Sequence, residues 1–374
     1  MKKKSIKKVM AYVVILLAAV LILGIARYMD TMPFRKVEDA EVSVSLKDKP
    51  QPTIALNLDE EETEPVETRP LPTEPKEQRI RITFAGNCAL GGPDNQAAMN
   101  QGFLRTVGED YAYPFLNVKE WFANDDMTLL TMENVLADAG KPISRSRSLR
   151  GPVSYVNILA QNSVEAVNLC NDHSMDYGEE GYTSTKDTLK ENNIEYVGIN
   201  SDKLITLEGD ILVGIYATEN SFSDKEMLAS AIKDLKNRDA ELIIYAPHWG
   251  KENAKAPTQE QIDLAHAAID AGANIVYGSH PMAVHPIEEY NGGLIIYSLG
   301  SLSHGADIYP DNYDTALVRQ EIFLSEKDAV RLGERTIVPC SVSSEEKRNN
   351  YQPMPYETDS EAYNRVMKKL QGNQ

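Results

Sequence analysis

From Arg79 onward, short apolar runs keep ending on a histidine, a carboxylate or an amide. "ITFAG" runs into Asn87, "LLTM" into Glu133-Asn134, and "AVNLC" into Asn171-Asp172-His173. "LIIYAP" runs into His248, "NIVYGS" into His280, and "IIYSLG" into Ser301 with His304 just beyond. Runs this short, rich in Ile, Val and Tyr, read as strands rather than helices. Between several of them lie segments with apolar residues at i, i+3, i+4 spacing: "YPFLNVKEWFAND", "GEEGYTSTKDTLKENN", "SDKEMLASAIKDLKNR" and "TQEQIDLAHAAIDAGA". Thr258 followed by Gln261 is a capping box, and Gly272 is a stop. Strands alternating with helices predict an α/β domain with a largely parallel or mixed sheet. In such sheets ligands gather at the carboxyl ends of the strands. After about residue 312 the pattern turns to strand-like pieces without intervening helices, and the chain closes on a short helical segment.

The chemistry therefore concentrates where the strands end. Four of the six histidines lie on or just after such ends. Imidazole, carboxylate and amide groups arriving from several strands suit a hard or borderline divalent metal, and they equally suit acid–base work. His266 lies inside a helical pattern beside apolar positions, where packing explains it, and His285 is intermediate. The stretch "KPISRSRSLRGP" places Lys141, Arg145, Arg147 and Arg150 in a loop after the Glu133 strand. A local cationic loop on an acidic chain suits an anionic substrate, and equally suits a solvated surface.

Composition narrows the function classes. Lys+Arg 38 against Asp+Glu 56 gives a formal net charge of −18, which argues against nucleic-acid binding. Three cysteines, Cys88, Cys170 and Cys340, cannot build a disulfide framework, and the chain has no CxxC for a zinc ribbon. Cys88 and Cys170 lie near neighbouring strand ends and read as buried apolar fillers. Residues 1–8 form a basic tail, and residues 9–26, "VMAYVVILLAAVLILGIA", are uncharged and long enough to cross a bilayer. Five lysines precede this run and only Arg27, Arg35 and Lys36 closely follow it. The expectation is a single-pass signal anchor in the cell membrane, with a cytoplasmic N-terminus and an extracellular main domain. Residues 27–78, rich in Pro, Glu and Thr, read as a disordered acidic stalk.

From about Arg79 to Asp307 the chain resembles the CapA/PgsA family of poly-γ-glutamate capsule biosynthesis proteins. The motifs that carry the resemblance are "FAGNCALGG", "TMENVLAD", "RGPVSYV", "VNLCNDHSMDYGEEG", "YAPHWGKE" and "LAHAAIDAGANIVYGSHPMAVHPIEEYNGGLIIYSLGS". The family looks related to calcineurin-like metallophosphoesterases. That implies a layered α/β/β/α sandwich over residues 79–345, with 346–374 as a C-terminal tail, and metal ligands at strand ends. The chain departs from the family pattern at several positions. Asn87 stands where the family usually has an aspartate, Asp172 replaces an amide, Met282 replaces a histidine, and Ser301 replaces an asparagine. A neutral Asn87 cannot bridge two metals, and a thioether is a poor ligand for hard ions.

The strand-end residues, placed in the family motifs by the resemblance, make His173, Asp172, Glu133 and His248 the catalytic candidates and Asn87, Asn171 and Ser301 substrate-binding candidates. The cationic loop adds Arg145 and Arg150 to the substrate-binding set, and Asp172, His248 and His280 are the candidate ligands for one divalent metal, manganese or similar. The function expected is a membrane-anchored extracellular component of anionic capsule polymer synthesis or export. Its expected partners are the membrane, the anionic polymer and other capsule-synthesis membrane proteins, with no nucleic acid. A metal-dependent phosphoesterase or other hydrolase, or a catalytically degenerate binding or scaffold member, stays open.

Overall fold

The structure is a computed structural model that describes residues 77–97, 99–143, 147–219, 224–325 and 330–372, all within one compact unit, Pro70–Gln374. The expected anchor at 9–26, and nearly all of the expected stalk at 27–78, lie outside the described residues. Among the described residues, no helix is long and apolar enough to cross a membrane.

The first half of the unit supplies β1 (Gln78–Phe84), β2 (Asn87–Ala89), β3 (Met127–Thr131), β4 (Val135–Leu136), β5 (Arg150–Gly151), β6 (Ala166–Asn168) and β7 (Glu195–Val197). Next come β8 (Ser201–Thr206), β9 (Leu212–Glu219), β10 (Leu242–His248), β11 (Ile275–Tyr277), β12 (Ile287–Tyr290) and β13 (Gly293–Ile296). The last are β14 (Ser301–His304), β15 (Asp314–Leu324), β16 (Arg331–Ser341) and β17 (Met354–Pro355). Among the described residues, four helices exceed two turns: α1 (Gly178–Glu191), α2 (Lys225–Asn237), α3 (Gln259–Ala271) and α4 (Glu361–Leu370).

Among the described residues, two large mixed sheets and two two-stranded ones result. One large sheet has the order β17-β16-β15-β1-β3-β6-β7, and the other β12-β13-β11-β10-β9-β8. At the centre of each lies a parallel set, β1-β3-β6-β7 in the first and β9-β10-β11-β13 in the second. Every residue of β3 and β10 is buried, as expected of parallel strands covered on both faces.

Side-chain alternation shows the layering. Leu242, Ile244 and Ala246 of β10 join Ile80, Ile82 and Phe84 of β1 in one core between the sheets. The alternate residues Ile243 and Tyr245 face outward onto Leu228, Ile232 and Leu264 of α2 and α3. On the far side, Leu130 and Val167 meet Phe103, Phe122, Ile158 and Leu189. The order is thus helix, sheet, sheet, helix.

Local chemistry sets the boundaries. The Thr258 capping box is present, with Gln261 N–H donating to Thr258 Oγ1 at 3.3 Å and Thr258 N–H to Gln261 Oε1 at 2.9 Å. Gly272 ends α3 at φ 113°, a conformation that favours glycine. Two sequence expectations shift. The "YPFLNVKEWFAND" segment holds only a 3₁₀ turn at Tyr113–Phe115 and one helical turn at Lys119–Phe122. The segment after 345 is no loose appendage, because β17 pairs with β16, and Val366 and Leu370 of α4 are buried in the inter-sheet core.

The parallel centres bring the strand ends to common edges. β2, just past β1, pairs in parallel with β14, just past β13, and an isolated bridge joins His248 to Ser279. The continuations of the two sheets are stitched together at this edge, above the inter-sheet core.

Candidate metal centre

Three donor groups converge at that edge. Ligand atoms of Asp172, His248 and His280 all lie within 4.8 Å of one another. His248 ends β10 with its side chain buried, and its Nε2 lies 3.1 Å from Asp172 Oδ1. His280 Nδ1 lies 4.0 Å from the same oxygen. The two imidazole rings meet edge to face at 4.7 Å between centroids. Asp172 arrives from the loop after β6. That strand stops because Asn168 Oδ1 accepts the Cys170 N–H at 2.8 Å and turns the chain. His280 sits at φ 92°, a left-handed conformation costly for a non-glycine residue. Its N–H donates to Asn87 Oδ1 at 3.4 Å.

Hydrogen bonds assign the His248 ring. Ser279 Oγ donates to the Pro247 carbonyl at 3.3 Å and lies 3.1 Å from His248 Nδ1, so it is placed to accept from that nitrogen. With Nδ1 protonated, the Nε2–Asp172 contact needs either a second proton on Nε2 or a cation between the two.

Behind the trio lies a buried charge chain. Glu133, 1% exposed at the end of the β3 run, has Oε1 3.9 Å from His248 Nδ1 and Oε2 3.2 Å from His304 Nε2. His304 Nδ1 lies 3.4 Å from Asp307 Oδ2, and Asp307 pairs with Arg147. Glu133 Oε1 is buried without a hydrogen-bond partner. A cleft of about 400 Å³ opens over this set, lined among others by Arg147, His173, Glu252 and Met282.

Burial alone would raise the Asp172 carboxyl. The His248 hydrogen bond and the neighbouring His173 charge outweigh it and hold Asp172 well below the usual carboxylate range. Burial lowers His280, and the His248 charge lowers it further, which favours a neutral imidazole able to ligate. For His173, burial opposes the charged form, but the Asp176 hydrogen bond at 2.7 Å and the Asp172 charge raise it. His304 is pushed up to about 9: burial opposes the charge, while Asp307 and Glu133 support it.

The donor set, two imidazoles and a carboxylate with an orphaned carboxylate oxygen beside them, fits one borderline divalent ion. Beside the trio, Ser301 Oγ lies 2.9 Å and Asn87 Nδ2 3.7 Å from Met282 Sδ, so a thioether and neutral groups, poor ligands for a hard ion, gather there.

The other expected residues divide. Asn171 is buried and structural, its Nδ2 donating to the Met132 carbonyl at 2.8 Å. Arg150 does not line the cleft. It opens β5, pairs with Asp94 at 2.9 Å and stacks over Tyr177, and Arg147 of the preceding loop takes the cleft position. Arg145 lies outside the described residues. His266 pairs with Glu288 and stacks on Tyr290, and His285 is buried with Nε2 2.8 Å from the Ala254 carbonyl. All three cysteines are free and buried, and burial pushes the Cys88 and Cys170 thiols up to about 12. Sequence reasoning did not place Asp307 or Glu252 in the site, and it noted His304 at a strand end, Arg147 in the cationic loop and Met282 in an altered motif without assigning them a role there.

The family model described as bacterial capsule synthesis protein PGA_cap matches residues 81–212 and 206–305, more than half of the chain. The chain belongs to this family. Every group of the trio and of the Glu133–His304 pair falls inside the matched PGA_cap region. The capsule biosynthesis protein CapA of Bacillus anthracis is 27% identical over 252 residues, covering 60% of this chain and 59% of that one. The PGA biosynthesis protein CapA of Bacillus subtilis (strain 168) is 27% identical over 244 residues, covering 59% of this chain and 62% of that one. This PGA_cap chain thus spans about three fifths of the length of these relatives. Among solved structures, the NAD nucleotidase NadN of Haemophilus influenzae overlays with a TM-score of 0.41 at 11% identity, over 79% of this chain and 63% of that one. A 5'-nucleotidase precursor from Thermus thermophilus overlays with a TM-score of 0.42 at 11% identity, over 74% of this chain and 56% of that one. Overlays this loose carry no argument about chemistry.

Proposed function

We propose that this protein is a membrane-anchored, outward-facing component of anionic capsule polymer (poly-γ-glutamate) synthesis or export, working through one divalent cation. The observation that carries the reading is the convergence of Asp172, His248 and His280 in a cleft of a PGA_cap domain. The apolar run at 9–26 supports the anchor and the extracellular location. Other capsule-synthesis membrane proteins are the natural partners of a protein so placed.

A cation held by the three ligands would polarise an oxygen of the bound polymer or its precursor. The protein's own residues set the rest. Ser279 fixes the His248 ring, and Glu133 completes the negative wall of the site. His173, partly exposed in the cleft and oriented by Asp176, is placed to pass a proton at its free ring nitrogen. His304, held charged between Glu133 and Asp307, offsets part of the negative charge that these two carboxylates bring to the wall of the cleft.

A phosphoesterase or other hydrolase draws on the same trio. The neutral Asn87 and the Met282 thioether speak against a two-ion clamp on a phosphoryl group. Deleting the gene should remove surface polymer, and the wild-type gene should restore it while a folded His248→Ala protein does not. Unchanged polymer after deletion contradicts the reading. Rescue by His248→Ala would reduce the protein to a scaffold.

A further inference from the structure

A second cavity, of about 570 Å³, lies between α4, the 253–255 loop and Ala283–Val284. Lys255, Arg365, Lys368 and Lys369 line it. The three cations of α4 stand at i, i+3 and i+4, on one face of the helix. Two of them are fixed from behind. Asp314, with a side chain 4% exposed, accepts from Arg365 Nη2 at 2.6 Å, Arg365 Nε at 2.9 Å and Lys369 Nζ at 2.7 Å. Tyr356 Oη donates to the same carboxylate at 3.1 Å. Against four cations stand two carboxylates, Asp311 in the lining and Asp314 behind it. A net positive groove is out of keeping with a chain of formal net charge −18. Its floor, Ala283 and Val284 with the lysine stems, is apolar and accommodates a methylene backbone.

The groove adjoins the metal cleft. Asn253, Asp311 and Asn312 line both the groove and a smaller cavity of about 90 Å³, which also reaches Arg147, Glu252 and Met282 of the cleft. In that middle stretch Asp307 is paired with Arg147, while Glu252 and Asp311 remain as acids, so the hold on an anion lies at the α4 end.

We propose that this groove is a second binding site, for a chain bearing repeated carboxylates, and that it holds such a chain beside the metal cleft. The identity of that chain as capsule polymer rests on the function proposed above. The cation spacing along one helix face, the preset heads of Arg365 and Lys369, and the apolar floor favour an extended polycarboxylate over a single small anion.

The test uses the full chain in neutral detergent and a fluorescent poly-γ-glutamate oligomer. Lys255→Glu/Lys368→Glu changes two exposed side chains and leaves the Asp314 contacts in place. Affinity at low ionic strength should fall on the order of tenfold, while Lys233→Glu/Lys236→Glu, the same charge change on the exposed face of α2 away from the groove, changes it less than twofold. Parallel arms replace the oligomer by a peptide of residues 57–66, the chain's own acidic stretch, and by vesicles of anionic phospholipid. Undiminished oligomer binding by the double variant overturns the proposal, as does groove-dependent binding of the peptide or vesicles but not of the oligomer. If surface polymer still depends on the gene while the double variant binds normally, the groove fails and the proposed function stands. If polymer is independent of the gene while binding still requires the groove, the groove stands and the proposed function fails.

Discussion

His304 Nε2 lies 3.2 Å from Glu133 Oε2, in a pair whose side chains are 4% and 1% exposed. A buried pair is costly to break from one side, because the remaining charge has no water to replace its partner. His304→Ala should therefore destabilise the domain by about 3–5 kcal/mol, and Glu133→Gln/His304→Ala by less than the two single changes summed. Urea unfolding in the presence of a chelator measures both.

The pH dependence of that pair follows from its two shifts. His304 is raised to about 9, mainly by Asp307 and Glu133 acting against burial, so its contribution is complete below the unfolded value of about 6.5 and is lost as pH rises through about 9. Burial raises Glu133, but the His304 hydrogen bond outweighs it and the net shift is downward. Its contribution is present above about 4.3 and lost on acidification. The stability gap between wild type and His304→Ala should therefore be widest between roughly pH 5 and 7 and close above about pH 9. A gap that stays constant up to pH 10 would show that the pair carries no charge.

Asp314 ties α4 to the domain through Arg365 and Lys369. Burial raises this carboxyl, but its two cation partners outweigh burial and lower it. Its stabilisation is present above the unfolded value of about 3.9 and is lost as pH falls below it. Asp314→Asn should cost about 2 kcal/mol at neutral pH, a modest figure because both cations are partly solvated. Hydrogen exchange should show α4 opening first. Equal protection of α4 in the variant and the wild type would contradict this clasp.

Met282 and Asn87 explain the expected single-ion stoichiometry, and they can be changed. Asn87→Asp/Met282→His supplies a carboxylate and an imidazole where a thioether and an amide now meet at 3.7 Å. The double variant should take up a second divalent ion, read by inductively coupled plasma spectrometry after dialysis. Uptake unchanged from wild type would mean that other groups limit the site.

Most of this arrangement is written locally in the chain. Parallel strands are buried on both faces, so "LIIYAP" and "LLTM" are legible as apolar runs, and the residue that ends each run must lie at a sheet edge. Asp172, His248 and His280 are visible for that reason. His304 is visible only as a residue near a strand end; its pairing with Glu133 is not, because that depends on β14 pairing with β2 more than two hundred residues away, a contact that no local pattern encodes. Arg147 and Arg150 are three residues apart, and only the pairing of β5, which Arg150 opens, with β4 decides which of them turns toward the cleft and which toward Asp94. The packing of α4 was illegible for a similar reason. Its sequence shows an amphipathic helix, but not that Val366 and Leu370 close the inter-sheet core.

The most direct test of the central claim is the number of divalent ions bound by the purified full chain, measured by equilibrium dialysis against manganese and against zinc. One ion per wild-type chain is predicted, with none retained by His248→Ala or Asp172→Asn proteins of unchanged circular dichroism. Wild-type protein that binds no ion, or a His248→Ala protein that binds as the wild type does, would contradict it.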